Sequence, residues 1–140
     1  MSLVLDSSAA LAWCFEDEHT PATLAILNQV AEEGAIAPAI WPLEVLNGLA
    51  MAERRGRLDS VRRHQLAGFI RDLPVNLDQE TAQQAWTATM RLSERHRLTL
   101  YDAAYLELAQ RLELPLATLD QELRGAATVL GISLVGCDHE

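Results

Sequence analysis

Four acidic residues in this chain stand where chemistry could be done: Asp6, Glu44, Asp102 and Asp120. Asp6 ends the apolar run Leu3-Val4-Leu5, and Asp120 follows the run Leu116-Ala117-Thr118. Glu44 falls in the first turn of a helix opened by Pro42, and Asp102 opens the helix that follows Thr99. Each has an ordinary explanation, because aspartate is a favoured N-cap and acids suit the first turn of a helix. Asp6 is the ambiguous case, since Ser7 or Ser8 could cap instead and leave its carboxylate free. The set says more than its members. Carboxylates gathered in one cleft repel and raise one another's pKa values. A divalent cation relieves that repulsion, and oxygen-only ligation selects Mg²⁺ or Mn²⁺ over zinc. Such a centre does phosphoryl chemistry, activating a water and stabilising the leaving oxygen. Ser7, Asn47 and Thr118 are small polar neighbours suited to holding the acids by hydrogen bonds, although Asn47 equally suits a solvated helix position. Tyr105, three residues after Asp102, reads as a packed tyrosine.

The acids must be brought together by the elements between them. Five short apolar runs look like buried parallel strands: Leu3-Val4-Leu5, Ala35-Ile36-Ala37, Val75-Asn76-Leu77, Leu116-Ala117-Thr118 and Ile132-Ser133-Leu134-Val135. Helical patterns fill the gaps. Thr20-Pro21 supplies a cap followed by proline at the first helical position, Pro42 opens a helix running towards Gly56, and Asp59 caps the next. From Glu80 to about Arg97, the positions Ala82, Ala85, Trp86, Thr89 and Met90 make one helical stripe. The last helix before Pro115 starts at Leu100. This alternation predicts a three-layer α/β/α fold with a central parallel sheet of about five strands, forming a single domain over 1–140. In such a sheet, ligands bind beyond the carboxyl ends of the strands, where the strand order reverses.

Composition narrows the chemistry. With 140 residues, 49% hydrophobic and 22% charged, the chain can bury a core. All 11 basic residues are arginine, which excludes a P-loop lysine, a Schiff-base lysine and a lysine general base. A net charge of −9 argues against attachment to nucleic acid or an anionic membrane by bulk charge alone. Cys14 and Cys137 make no disulfide framework and the four histidines no metal-binding pair; Cys137-Asp138-His139 reads as a frayed tail. With no basic leader and no apolar run long enough to span a membrane, the expectation is a cytoplasmic protein with reduced thiols.

The motifs in their order resemble the PIN domain. They are Val4-Leu5-Asp6-Ser7-Ser8-Ala9, the helix start Trp41-Pro42-Leu43-Glu44-Val45-Leu46-Asn47, the segment from Leu100-Tyr101-Asp102 to Ala109, and Ala117-Thr118-Leu119-Asp120. The resemblance covers essentially the whole chain, and the small size is similar to the VapC toxins of toxin–antitoxin pairs. It implies a Mg²⁺- or Mn²⁺-dependent endoribonuclease with Asp6, Glu44, Asp102 and Asp120 at the family's acidic positions, Thr118 at its polar position and Asn47 as a companion of the glutamate. It also implies a homodimer and a small antitoxin that holds the toxin inactive. Some relatives carry a further acid near the Asp120 position; the nearest here is Glu122. As an expectation, Asp6 is the central ligand, Asp102 and Asp120 complete one site, and Glu44 reaches a second metal or holds a water. Cleavage would leave a 5′-phosphate and a 3′-hydroxyl.

RNA must still approach an acidic protein. Between positions 53 and 71 six arginines face only Glu53 and Asp59, which makes Arg54, Arg55 and Arg57 candidate RNA contacts, though a solvated helix face would look the same. Two enzyme rivals fail on particular residues. A HAD-type phosphatase needs a second aspartate where Ser8 stands and usually a lysine, and a receiver domain also relies on a lysine. An alternative left open is a non-catalytic interaction domain whose acids bind a partner's arginine.

Overall fold

A computed structural model describes residues 2–136, so the Cys137-Asp138-His139 tail lies outside the described residues. Along the chain run β1 (Val4–Leu5), α1 (Ser7–Ala12), a 3₁₀ turn (Glu16–Glu18), α2 (Pro21–Glu33), β2 (Ala35–Ala37), α3 (Trp41–Arg54), α4 (Ser60–Arg71) and β3 (Val75–Leu77). Then come α5 (Thr81–Gln84), a π-helical turn (Ala85–Thr89), α6 (Met90–His96), α7 (Leu100–Leu112), β4 (Leu116–Ala117) and α8 (Gln121–Val129). The strands form a parallel sheet in the order β3-β2-β1-β4, flanked by helices. The chain steps outward from β1 to β2 to β3, then returns to place β4 on the other side of β1. The reversal point therefore lies between the carboxyl ends of β1 and β4, where Asp6 and Thr118 emerge.

Two expectations change. The fifth apolar run makes only a bridge among the described residues, Leu116 to Leu134, with the Leu116 N–H donating to Ser133 O (2.8 Å) and the Val135 N–H to Leu116 O (3.0 Å). Gly131 ahead of it and Gly136 behind it both take positive φ, which leaves little extended chain to pair. The helix expected from Glu80 to Arg97 is interrupted by the π turn, which takes its apolar positions off one face. Thr89 is buried, but Ala82, Trp86 and Met90 face outward.

The helix starts follow their sequence signals. Thr20 and Thr23 form a reciprocal capping box ahead of Pro21, and Asp59 accepts from the Arg62 N–H. Leu3, Val4, Leu5, Leu106, Leu108 and Leu116 are fully buried and clamp α7 against the sheet. Gly48 lets α3 approach α1: a Cβ there would sit 2.5 Å from a Leu11 methyl. Burial pushes the Cys14 thiol up to about 11, so it is an inert core side chain.

Candidate active site

Asp6 continues the β1–β4 pairing one residue past the strand, its N–H donating to Ala117 O (3.0 Å). That bond fixes its backbone at the reversal point and leaves its side chain 3% exposed. Asp6 holds the N-cap position of α1, yet its side chain does not cap. Its carboxylate instead accepts from the Thr118 hydroxyl (2.6 Å), the Ser8 hydroxyl (2.7 Å) and, at longer range, the Ser7 hydroxyl (3.5 Å).

The other acids arrive on helix starts. Thr99 caps α7 by accepting from the Asp102 N–H (3.1 Å), so the Asp102 carboxylate is not spent on the cap. Asp120 does cap: one of its oxygens accepts from the Leu123 N–H (2.9 Å), while its own N–H donates to Thr118 Oγ1 (3.1 Å). Thr118 thus ties Asp6 to Asp120. Glu44 accepts from the Tyr105 hydroxyl (2.5 Å) and from Ser7 (3.4 Å), so Ser7 bridges Asp6 and Glu44.

The four acids lie near enough for their charges to act on one another. Burial raises the Asp6 pKa, the Thr118 and Ser8 hydroxyls offset part of that, and Asp120 adds repulsion. Burial also raises Glu44, with Asp6 adding to it and Tyr105 opposing. Asp102 is pushed up to about 6, by burial first and then by Asp120, Asp6 and Glu44. Burial is the larger cause for Asp6, Glu44 and Asp102, and the neighbouring carboxylates add to it.

Asn47 is exposed and makes no side-chain hydrogen bond among the described residues; Glu122 is likewise exposed at the start of α8. Of the candidate arginines, Arg57 is engaged by Asp17 (3.0 Å) and Glu18 (3.2 Å), Arg54 makes a contact to Met51 Sδ (3.7 Å), and Arg55 is exposed. Sequence reasoning missed two groups. Ser8 donates to Asp6 and accepts from the Leu119 N–H (2.9 Å), so it fastens β4's exit to α1. Tyr105 is packed as expected, but its hydroxyl also orients Glu44, and a buried tyrosine needs such a partner. Its spacing of three from Asp102 was the available signal.

Among the described residues no group of three or more histidine, cysteine, aspartate or glutamate side chains is arranged to hold a metal ion. The cleft's hydroxyls hold its carboxylates instead, and Asp120 is turned partly into its cap. The donor set nevertheless suits a hard divalent cation, because it is all oxygen and because burial, with neighbouring carboxylates adding to it, disfavours the ionised forms of Asp6, Glu44 and Asp102.

The profile of the PIN domain matches residues 3–129. The chain belongs to the PIN domain family. It is 32% identical over 127 residues to Ribonuclease VapC3 of Pyrobaculum aerophilum, covering 88% of this chain and 92% of that one. Among solved structures, PAE2754 of Pyrobaculum aerophilum superposes with a TM-score of 0.64 at 25% identity, over 90% of this chain and 84% of that one. FitAcB of Neisseria gonorrhoeae gives 0.65 at 16% identity over 96% of each chain. VapC20 of Mycobacterium tuberculosis, a sarcin–ricin loop cleaving toxin, gives 0.57 at 14% over 89% and 94%. The last two show the fold alone.

Proposed function

We propose that this protein is a divalent-metal-dependent endoribonuclease, the toxin of a toxin–antitoxin pair that blocks translation. The observation that carries the reading is the convergence of Asp6, Glu44, Asp102 and Asp120 on one edge of the sheet, with three of their pKa values raised. The similarity to Ribonuclease VapC3 supports the substrate class. Asp6, Asp102 and Asp120 would hold Mg²⁺ or Mn²⁺, with Glu44 at a second ion or a water. When bound, such a cation supplies Lewis acidity and lowers the pKa of water.

The chain's own groups prepare that site. Thr118 and Ser8 fix the Asp6 carboxylate from two sides, so it does not have to be ordered when RNA binds. Tyr105 fixes Glu44 in the same way. The buried wall behind Asp6 lowers the local dielectric and strengthens charge interactions with a phosphodiester.

A homodimer would cover exposed apolar side chains such as Leu43 and Leu46 on α3 and Trp86 and Met90 around the π turn. A small antitoxin would hold the enzyme inactive in the cytoplasm. No helix among the described residues is long and apolar enough to cross a membrane.

The test is RNA cleavage by wild type and Asp6→Asn, with Mg²⁺, with Mn²⁺ and in EDTA. Wild type should cut only with metal and Asp6→Asn should not cut. Equal cleavage by both, or full cleavage in EDTA, would overturn the metal mechanism.

A further inference from the structure

Beside the acid cleft lies a groove of about 460 Å³ that shares Ser8 and Asp120 with it and extends along α1 and the second half of α3. That volume falls in the range of small-ligand sites. Leu11, Met51 and Leu119 give it an apolar lining. At its far end the Arg57 guanidinium lies 4.1 Å over the Phe15 ring. Asp17 and Glu18 neutralise Arg57 and hold it there, so it is a fixed flat surface more than a free charge. Arg55, the C-cap residue of α3, lines the same groove with no side-chain partner among the described residues.

These features match a single-stranded nucleotide part by part. Unpaired bases are bound by stacking on aromatic rings and on arginine planes, and a plane already pinned costs little further entropy to use. Phosphates are bound by free arginines. The groove opens into the cleft, so a chain cut at the acids has its next nucleotide at the groove mouth. We propose that the groove takes the unpaired base of a nucleotide flanking the cut bond. The Phe15–Arg57 pair, Leu11 and Met51 lie against the base, and Arg55 contacts its backbone phosphate. This rests on the ribonuclease reading above and adds to it a place where base identity is read.

The experiment maps cleaved ends on a random-sequence RNA pool and measures KM and its salt dependence, for wild type, Met51→Trp, Arg57→Ala and Arg55→Ala. Thermal melts confirm that each variant folds, and Arg55 and Arg57 are surface positions whose loss leaves the core intact. Met51→Trp fills the groove and Arg57→Ala removes its stacking plane. Either should flatten or change the base preference at one fixed position beside the cut. Arg55→Ala should raise KM severalfold on all sequences alike and reduce the salt slope by about one. If wild type cuts RNA and all three variants keep its base preference and KM, the groove takes no part in substrate binding and the inference is wrong. If the variants instead lose only inhibition by a partner protein, the groove is a protein site and the inference is again wrong. A wild type that cuts no RNA with metal overturns the ribonuclease reading itself, and this inference with it.

Discussion

Two regions of the molecule bury carboxylates, and they treat them in opposite ways. In the cleft, Asp6 is 3% exposed, the Thr118 and Ser8 hydroxyls donate to it, and Asp120 nearby adds repulsion. Where α7 meets the exit of β3, Asp78 is 8% exposed and Glu107 4%, and Arg111 binds both. Arg111 donates to Asp78 Oδ2 (2.7 Å) and to Glu107 Oε2 (2.7 Å), with Glu80 at 3.7 Å on its rim. Burial by itself would raise Asp78, but Arg111, the Glu80 backbone and Thr81 outweigh it and hold its carboxyl below the ordinary value. Glu107 and Asp78 in turn hold the Arg111 guanidinium more firmly protonated. Burial is common to both regions; the groups that hold the acids differ. On α7 Arg111 meets the buried acids directly, whereas at the edge where the sheet binds ligands hydroxyls hold Asp6 and Arg124 donates to the Thr118 carbonyl (3.0 Å).

The largest expected effects come from removing the central group of each region. Asp6→Asn should lower metal-dependent RNA cleavage by ~10³-fold or more, as for catalytic residues that act as a unit. It should leave the metal-free Tm unchanged or higher, because it removes a buried charge that nothing neutralises. Arg111→Met should do the reverse. It strands Asp78 and Glu107 without their cation and should cost about 3 kcal/mol, the low end for a buried pair because Arg111 keeps some exposure. Thermal melts should show a Tm fall of roughly 10 °C for a domain of this size. If Asp6→Asn melts far below wild type, the contrast between the regions is lost.

A next, smaller effect is the pH dependence of metal-free stability. The ordinary Asp102 value is 3.8 and its folded value is about 6, so the folded state holds the proton more tightly. Its contribution favours folding below 3.8 and is lost as pH rises through 6. Asp78 has the opposite sign: its contribution is present at neutral pH and lost as pH falls below the usual carboxylate range. Melts in EDTA and in Mg²⁺ at pH 5 and 7.5 separate the two. Mg²⁺ should raise Tm more at pH 7.5, above the folded Asp102 value, and Asp6→Asn should shrink that gain. An equal Mg²⁺ gain at both pH values would show that these carboxylates do not hold the ion.

Much of this comparison was legible in the residues, and the reason differs by region. The cleft acids announce themselves because each directly follows a strand run or opens a helix, so local patterning places them at one edge. The helix starts also read correctly: the Thr20 cap, the Pro42 start of α3, the Asp59 cap and the start of α7. The Arg111 network could not be read, because Asp78 and Arg111 are 33 residues apart and only the packing of α7 joins them. The π turn escaped for a related reason. An apolar stripe at helical spacing says nothing about one added residue per turn, and that residue is what carries Trp86 out to 80% exposure. Ser8 and Tyr105 were visible as residues but their partners were not, since each bond crosses between elements.

The smallest expected effect tests how far the Tyr105 hydroxyl positions the Glu44 carboxylate. Tyr105 is buried and its hydroxyl donates to Glu44, and that bond together with burial pushes the phenol's pKa well above its ordinary value. A hydrogen bond to a charged group contributes about 1.5–3 kcal/mol, but Glu44 is half-exposed to water that can replace it. Tyr105→Phe keeps the ring and its packing, so Tm should fall by only a few degrees. Cleavage should fall about tenfold through kcat, because Glu44 is then free to turn away from the position Tyr105 imposes. Glu44→Gln in the same background should cost little more than it does alone if the tyrosine acts only through Glu44. Fully additive losses would mean that Tyr105 meets the RNA directly, and the hydroxyls of the cleft would then be substrate contacts in place of supports.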